Sequence, residues 1–155
     1  ADPRLFVVIN VEIHEKMWKQ VTDPDRIEKG IRLTASWIDY AIDQGWDAGI
    51  GCNGFLSGDA SKSPVRTAID GGPGQLHYLY EILARIEIER SVPIDVLLQE
   101  ETNRLEQRTD YILITSFISD SIQQWIQDMR GRGHGVTIVP LEEEKKESFE
   151  RQVSG

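Results

Sequence analysis

Three polar residues at the end of the first apolar segment have the spacing most suggestive of chemistry. Asn10, Glu12 and His14 alternate with apolar residues in a segment, residues 5–13, that is typical of a buried strand. Side chains two residues apart on a strand point to the same side, so the three would lie together. Amide and carboxylate oxygens suit a hard divalent cation, and a histidine beside a carboxylate suits acid–base catalysis. The segment therefore indicates a cation site or an acid–base site.

Nucleophilic catalysis would need a serine or cysteine near His14. Ser116, Ser119 and Cys52 are the candidates on the same predicted face. Ser116 does not stand in the Gly-x-Ser-x-Gly turn that exposes a serine nucleophile, and Cys52 has no local activating residues. We therefore predict no catalytic residue and no cofactor. The alternative prediction is a small hydrolase or a divalent-metal-dependent binding domain that uses Glu12 and His14, with Mg²⁺ as the ion.

A regular alternation of strands and helices must position these residues. Apolar stripes at helical spacing predict four helices. The first begins near Thr22-Asp23-Pro24, the second follows the sequence Gly71-Gly72-Pro73-Gly74, the third begins at Pro93, and the fourth at Ser119 or Ser121. Apolar, β-branched runs predict strands at residues 5–13, 46–52, 65–69, 111–115 and 136–139. This alternation predicts an α/β fold of three layers (α/β/α), with a mostly parallel sheet and one short antiparallel edge strand.

The loops that follow the strands of a parallel sheet meet at one edge, where such folds usually bind their ligands. Here those loops begin at Asn10, Asn53 and Ser116. We predict a binding face built from the polar side chains of these loops: Asn10, Glu12, His14, Asn53, Ser116, Ser119 and Asp120. Trp18, in the loop after the first strand, is predicted either to anchor a partner on this face or to cover the core locally.

Composition restricts the class of partner and the number of domains. The formal net charge of −9, from 17 basic and 26 acidic residues, repels phosphate backbones, so we predict no nucleic-acid partner. Cys52 is the single cysteine, which fits a reducing compartment. No apolar run approaches the ~20 residues that span a bilayer. We predict one domain, residues 1–141, followed by a charged tail, residues 142–155, that is a frayed helix or disordered.

Two stretches resemble a known family. The first joins an Ala- and Ser-containing helix, residues 28–37, to a glycine-containing strand that ends near an asparagine, residues 44–54. The second, residues 72–86, reads Gly-Pro-Gly-Gln-Leu-His-Tyr-Leu-Tyr-Glu-Ile-Leu-Ala-Arg-Ile. Through these motifs, residues 5–140 resemble the carboxyl-terminal half of the bacterial "domain of unknown function 58" proteins.

The resemblance implies a von Willebrand factor A-like fold, a class dominated by protein–protein adhesion and scaffolding. Family members are generally tethered in the bacterial inner membrane by amino-terminal hydrophobic segments, with the A-like domain on the cytoplasmic side. The present sequence would be the part that follows those segments. Many members are encoded beside MoxR-type AAA+ ATPases, which suggests such an ATPase as the partner. The implied function is a non-enzymatic protein-interaction domain.

The metal-binding signature of A-type domains is degenerate in this sequence. In such domains a cation is held by an Asp-x-Ser-x-Ser sequence after the first strand, a threonine, and an aspartate after the fourth strand. Asn10, Glu12 and His14 stand at the first three positions, and the first carboxylate after residues 111–115 is Asp120. We therefore predict a metal-ion-dependent adhesion site that has lost tight cation binding.

Overall fold

A five-stranded sheet forms the centre of the computed structural model, which describes residues 3–16, 23–104 and 107–143. Helices and a second, two-stranded sheet surround it. The described elements are, in chain order, β1 (Arg4–Ile9), α1 (Pro24–Asp43), β2 (Asp47–Cys52), β3 (Phe55–Leu56), β4 (Val65–Arg66), α2 (Pro73–Ala84), β5 (Ile86–Glu87), α3 (Ile94–Asn103), β6 (Asp110–Thr115), α4 (Asp120–Gly131) and β7 (Gly135–Pro140).

The strands of the main sheet lie in the order β4-β2-β1-β6-β7. β1 pairs in parallel with β2 and β6, and β7 pairs in parallel with β6, whereas β4 is antiparallel to β2. Ile9 of β1 lies opposite Cys52 and Ile114, so the three central strands end side by side. The predicted mostly parallel sheet with a short antiparallel edge strand is confirmed.

Alternate residues of β1 enter two separate hydrophobic clusters. Leu5, Val7 and Ile9 pack with buried residues of α1 and α2, whereas Phe6 and Val8 pack with buried residues of α3 and α4. Helices therefore cover both faces of β1, as expected for a parallel sheet. The chain is a mixed α/β protein, and its arrangement is compatible with the predicted three layers.

The local sequence sets both ends of α1. The Asp23 side chain accepts a hydrogen bond from the Arg26 N–H at 3.3 Å, and Pro24 stands in the first turn, where an N–H would have no helical partner. Gly45, with φ of +82°, follows the cap residue Gln44 and lets the chain leave the helix in the left-handed conformation. The predicted start of this helix is confirmed.

The first strand is shorter than the sequence indicates. It ends at Ile9 and not at residue 13, because the Asn10 side-chain oxygen accepts the Glu12 N–H at 3.0 Å and turns the chain out of the sheet. Beyond this turn Glu12 is buried but His14 is exposed. The strand alternation that places Asn10, Glu12 and His14 on one side was therefore wrong.

The sequence pattern also misses the small antiparallel sheet of β3 and β5. Phe55 pairs with Glu87, and Leu56 pairs with Ile86. The pattern assigns Ile86 to the apolar stripe of the second helix, but α2 ends at Ala84. Strands of two residues are too short to show a period of two, so no sequence signal distinguishes them from loop.

Two predicted features lie outside the described residues: Trp18 and residues 144–155 of the tail. At the predicted domain boundary, Leu141 is buried, whereas Glu142 and Glu143 are exposed. Within the described ranges, no helix has both the length and the apolar character needed to cross a bilayer.

Candidate functional site

Two buried asparagines tie the carboxyl ends of the central strands together. Asn10 follows β1 and Asn53 follows β2, and both are completely buried. The Asn53 Nδ2 donates to the Asn10 Oδ1 at 3.0 Å, and the Asn10 Nδ2 donates to the Thr115 Oγ1 at 3.0 Å. The Asn53 Oδ1 also accepts the Val11 N–H at 2.8 Å. These bonds satisfy side-chain and backbone groups that burial would otherwise leave unpaired.

Glu12 extends this network to the start of α3. Its Oε1 accepts the Ile94 N–H at 2.6 Å and the Asn53 Nδ2 at 3.2 Å, while its Oε2 lies 3.4 Å from the Arg90 Nη1. The side chain is only 4% exposed. Because Pro93, the residue that precedes α3, makes no side-chain cap bond, Glu12 provides the carboxylate that stabilises this helix end.

The Glu12 carboxyl has a pKa above its ordinary value of 4.5. Burial is the largest cause, because a charged group loses its hydration there. The hydrogen bond from the Ile94 N–H and the charge of Arg90 act against this effect and lower the pKa, whereas the charge of Asp95 raises it. Glu12 therefore titrates at a higher pH than a glutamate in water.

The oxygens at this position do not fit a magnesium site. The Asn10 Oδ1 already accepts two N–H groups, and both Glu12 oxygens have donors. A hard cation needs several oxygens with free lone pairs, and the Arg90 guanidinium would repel it. Among the residues that the structure describes, no group of three or more His, Cys, Asp or Glu side chains could hold a metal ion.

The remaining predicted face residues have separate surroundings. Ser119 caps α4, because its Oγ accepts the Ile122 N–H at 3.2 Å, and Asp120 is exposed in the first turn of that helix. The Ser116 Oγ is buried without a hydrogen-bond partner in the described part of the chain. His14 is exposed at the rim. The structure thus links Asn10, Glu12 and Asn53 through hydrogen bonds, and no hydrogen bond among the described residues joins the other four to them.

The three possible nucleophiles do not form an activated pair with His14. Burial raises the pKa of the Cys52 thiol to about 12, so the reactive thiolate is scarce near neutral pH. The Ser119 hydroxyl is engaged in the α4 cap. Over residues 3–16, 23–104 and 107–143, no hydrogen bond joins His14 to Ser116 or Ser119. A nucleophile and base would need such contact.

A cleft of about 520 Å³ lies beside this network. Three segments line it: residues after β1, the segment that leads into α3, and the loop between β6 and α4. Glu12 and Ser119 line it among the predicted residues, and sequence reasoning missed Arg90 and Phe117. In the sequence, the feature that could have indicated this surface is the apolar pair Phe117-Ile118, which interrupts an otherwise polar loop. In the structure Ile118 is 48% exposed.

Comparison of the sequence with protein-family models and with curated proteins finds no match.

Proposed function

We propose that this chain is a non-enzymatic protein-interaction domain that binds a partner through the cleft at the carboxyl ends of β1 and β6. The observation that carries the proposal is the 520 Å³ cleft itself, with Phe117 in its wall and Ile118 exposed next to it. A concave surface that combines apolar anchors with charged groups at its rim has the composition of a protein interface.

The network beneath the cleft supports a binding role because it is rigid. Buried hydrogen bonds of Asn10, Asn53 and Glu12 join the loops after β1 and β2 to each other and to the start of α3. A preformed surface loses little conformational entropy on binding, which favours affinity. Exposed apolar area on a fixed scaffold is therefore available for a partner without local folding.

We further propose that the fold is von Willebrand factor A-like and that the adhesion site is degenerate, as the resemblance to the "domain of unknown function 58" family implies. The strand order and the antiparallel edge strand support this assignment. In place of a cation, the guanidinium of Arg90 supplies the positive charge beside the Glu12 carboxylate. An ion pair of this kind links the segments without a bound metal, whereas a metal site would make that link depend on the ion.

The proposed partner is a MoxR-type AAA+ ATPase, and the proposed location is the cytoplasmic side of a membrane-tethered protein. The test measures, by calorimetry, binding of the purified domain to a MoxR-type AAA+ ATPase from the same organism. Ile118→Asp places a charge at the edge of the cleft and should weaken binding at least tenfold. Tyr78→Asp is the matched control, since Tyr78 is 43% exposed on α2, away from the cleft.

Equal affinities for Ile118→Asp and Tyr78→Asp, or no binding by the wild type, would contradict this proposal. Charge reversal at Glu12 is unsuitable as a surface probe, because a buried arginine in its place would disrupt the loops themselves.

The alternative, a metal-dependent binder or hydrolase that uses Glu12 and His14, makes a separate prediction. Titration with Mg²⁺ should then release or absorb heat at sub-millimolar concentration, and Glu12→Gln should abolish the signal. We expect no such signal, because the candidate donor oxygens are occupied by hydrogen bonds.

A further inference from the structure

A second pocket, of about 150 Å³, opens at the opposite end of the sheet. Three arginines, Arg4, Arg66 and Arg104, line it together with the carboxylate of Glu101. Arg4 begins β1, Arg66 lies in β4, and Arg104 caps the end of α3. The topology thus gathers cationic side chains from three distant parts of a chain whose net charge is −9.

Glu101 is fully engaged by two of its neighbours. Its two oxygens accept hydrogen bonds from the Arg66 Nε and Nη2, at 3.1 and 3.3 Å, and one also accepts the Tyr111 hydroxyl at 3.1 Å. The Arg66 guanidinium lies 5.2 Å from the centre of the Phe6 ring, which fixes it further. Arg66 and Glu101 therefore form a neutral, immobile pair in the wall of the pocket.

Arg4 and Arg104 retain unused hydrogen-bonding capacity. The Arg4 Nε donates to the Thr109 Oγ1 at 3.4 Å, but neither arginine forms an ion pair with any residue that the structure describes. The pocket therefore has a surplus of two positive charges, of which the carboxyl end of α3 offsets roughly half of one. This surplus of positive charge in a concave site attracts anions.

We propose that this pocket binds a tetrahedral oxyanion, namely phosphate or the phosphoryl group of a larger molecule, between Arg4 and Arg104. The planar fork of N–H groups on each arginine matches pairs of phosphate oxygens. The pocket volume is several times the roughly 30 Å³ share of a water molecule, and it falls below the roughly 300 Å³ at which pockets accept drug-sized ligands. A compact anion of this size fits, and a whole nucleotide does not.

The test titrates inorganic phosphate into the full chain at constant ionic strength, with chloride as the balancing ion. Binding is followed through the arginine Nε–H resonances of ¹⁵N-labelled protein. We expect saturable one-to-one binding with shifts at Arg4 and Arg104. Arg104→Gln and Arg4→Gln should each weaken the affinity about tenfold or more. Arg32→Gln, at an exposed position on α1, is the matched control and should bind as the wild type does.

A parallel titration with O-phosphoserine identifies the source of the anion. Tighter binding of phosphoserine indicates a phosphorylated molecule, and tighter binding of inorganic phosphate indicates the free ion. Linear, unsaturated shifts in the wild type, or equal affinities for Arg104→Gln and Arg32→Gln, would overturn the proposal. Because the pocket lies at the other end of the sheet from the cleft, Ile118→Asp should leave phosphate binding unchanged.

Discussion

Glu12 lies buried where its charge is both costly and useful. Removal from water penalises the carboxylate, whereas the Ile94 N–H and Arg90 stabilise it and thereby hold the start of α3 against the loop after β1. Substitution of Glu12 or Arg90 alone would leave the charge of the other without its ion-pair partner. Glu12 therefore acts mainly as a fixed contact between loops, and the exposed residues around the cleft remain the better candidates for contact with a partner.

The raised pKa of Glu12 predicts a specific dependence of stability on pH. Because the pKa is higher in the folded chain than its ordinary value of 4.5, the folded state binds the proton more tightly than the unfolded state. The stabilisation from protonation is complete below pH 4.5 and is lost as the pH rises through the folded pKa. As the pH rises from 4.5 through the folded pKa, the free energy of unfolding of the wild type should therefore decrease relative to that of Glu12→Gln.

Urea unfolding of both proteins between pH 4.5 and pH 8 measures this difference. Glu28→Gln, at an exposed position on α1, is the control, and its stability should run parallel to that of the wild type. A constant difference between the wild type and Glu12→Gln across the range would show that the two states bind the proton equally.

At the scale of the elements, the sequence predicts those parts whose signals are local. The cap of α1 by Asp23, its end at Gly45 and the cap of α4 by Ser119 follow from side-chain chemistry within a few residues. The end of β1 depends instead on Asn10, whose side-chain oxygen accepts both the Glu12 N–H and an N–H of Asn53, 43 residues away. Such a cooperative, long-range arrangement leaves no periodic pattern in the sequence.

The same distinction applies to the two pockets. Glu12 could be selected as a site candidate because it follows an apolar run, but Arg90, its ion-pair partner, lies 78 residues away in the sequence. Arg4, Arg66 and Arg104 likewise come together only through the order of the strands. Isolated arginines in a sequence carry no indication of a shared pocket, so neither cluster could be predicted before the topology was known.

Two glycines offer a test of how the helix ends are encoded. Gly45 has φ of +82°, whereas Gly131 is the last residue of α4 and has no positive φ; an added Cβ meets no atom within 4 Å at either position. Gly45→Ala should therefore destabilise the fold by about 1–2 kcal/mol, the cost of the left-handed conformation. Gly131→Ala should stabilise it by about 0.4–1 kcal/mol, since alanine restricts the unfolded chain. Thermal unfolding of the two variants measures both signs, and a common sign would contradict this explanation.

At the scale of the whole molecule, the two ends of the sheet are closed by different chemistry. Amide groups and one carboxylate close the carboxyl end, where hydrogen bonds join the loops after β1 and β2 to each other and to Thr115 of β6. At the amino end, arginines surround Glu101, and burial and the charge of that glutamate raise the pKa of the Tyr111 hydroxyl, which therefore stays protonated as a donor. The first arrangement is self-sufficient, whereas the second has unused positive charge. This contrast is the reason that we propose a partner surface at one end and an anion site at the other.

The self-sufficient end makes a final prediction about global stability. Asn53→Ala removes the acceptor of the buried Val11 N–H and the amide donor to Asn10 and Glu12, so one substitution removes these hydrogen bonds between the loops after β1 and β2. Because an unpaired buried polar group costs about 1–3 kcal/mol, we expect a loss of about 2–3 kcal/mol in the free energy of unfolding.

Asn103→Ala, at an exposed position in α3, is the control and should change the free energy of unfolding by less than about 0.5 kcal/mol. Urea unfolding tests both, and an unchanged dependence on urea concentration in Asn53→Ala would show that the loss occurs in the native fold. A cost for Asn53→Ala no greater than that for Asn103→Ala would mean that the asparagine network does not hold the sheet end together.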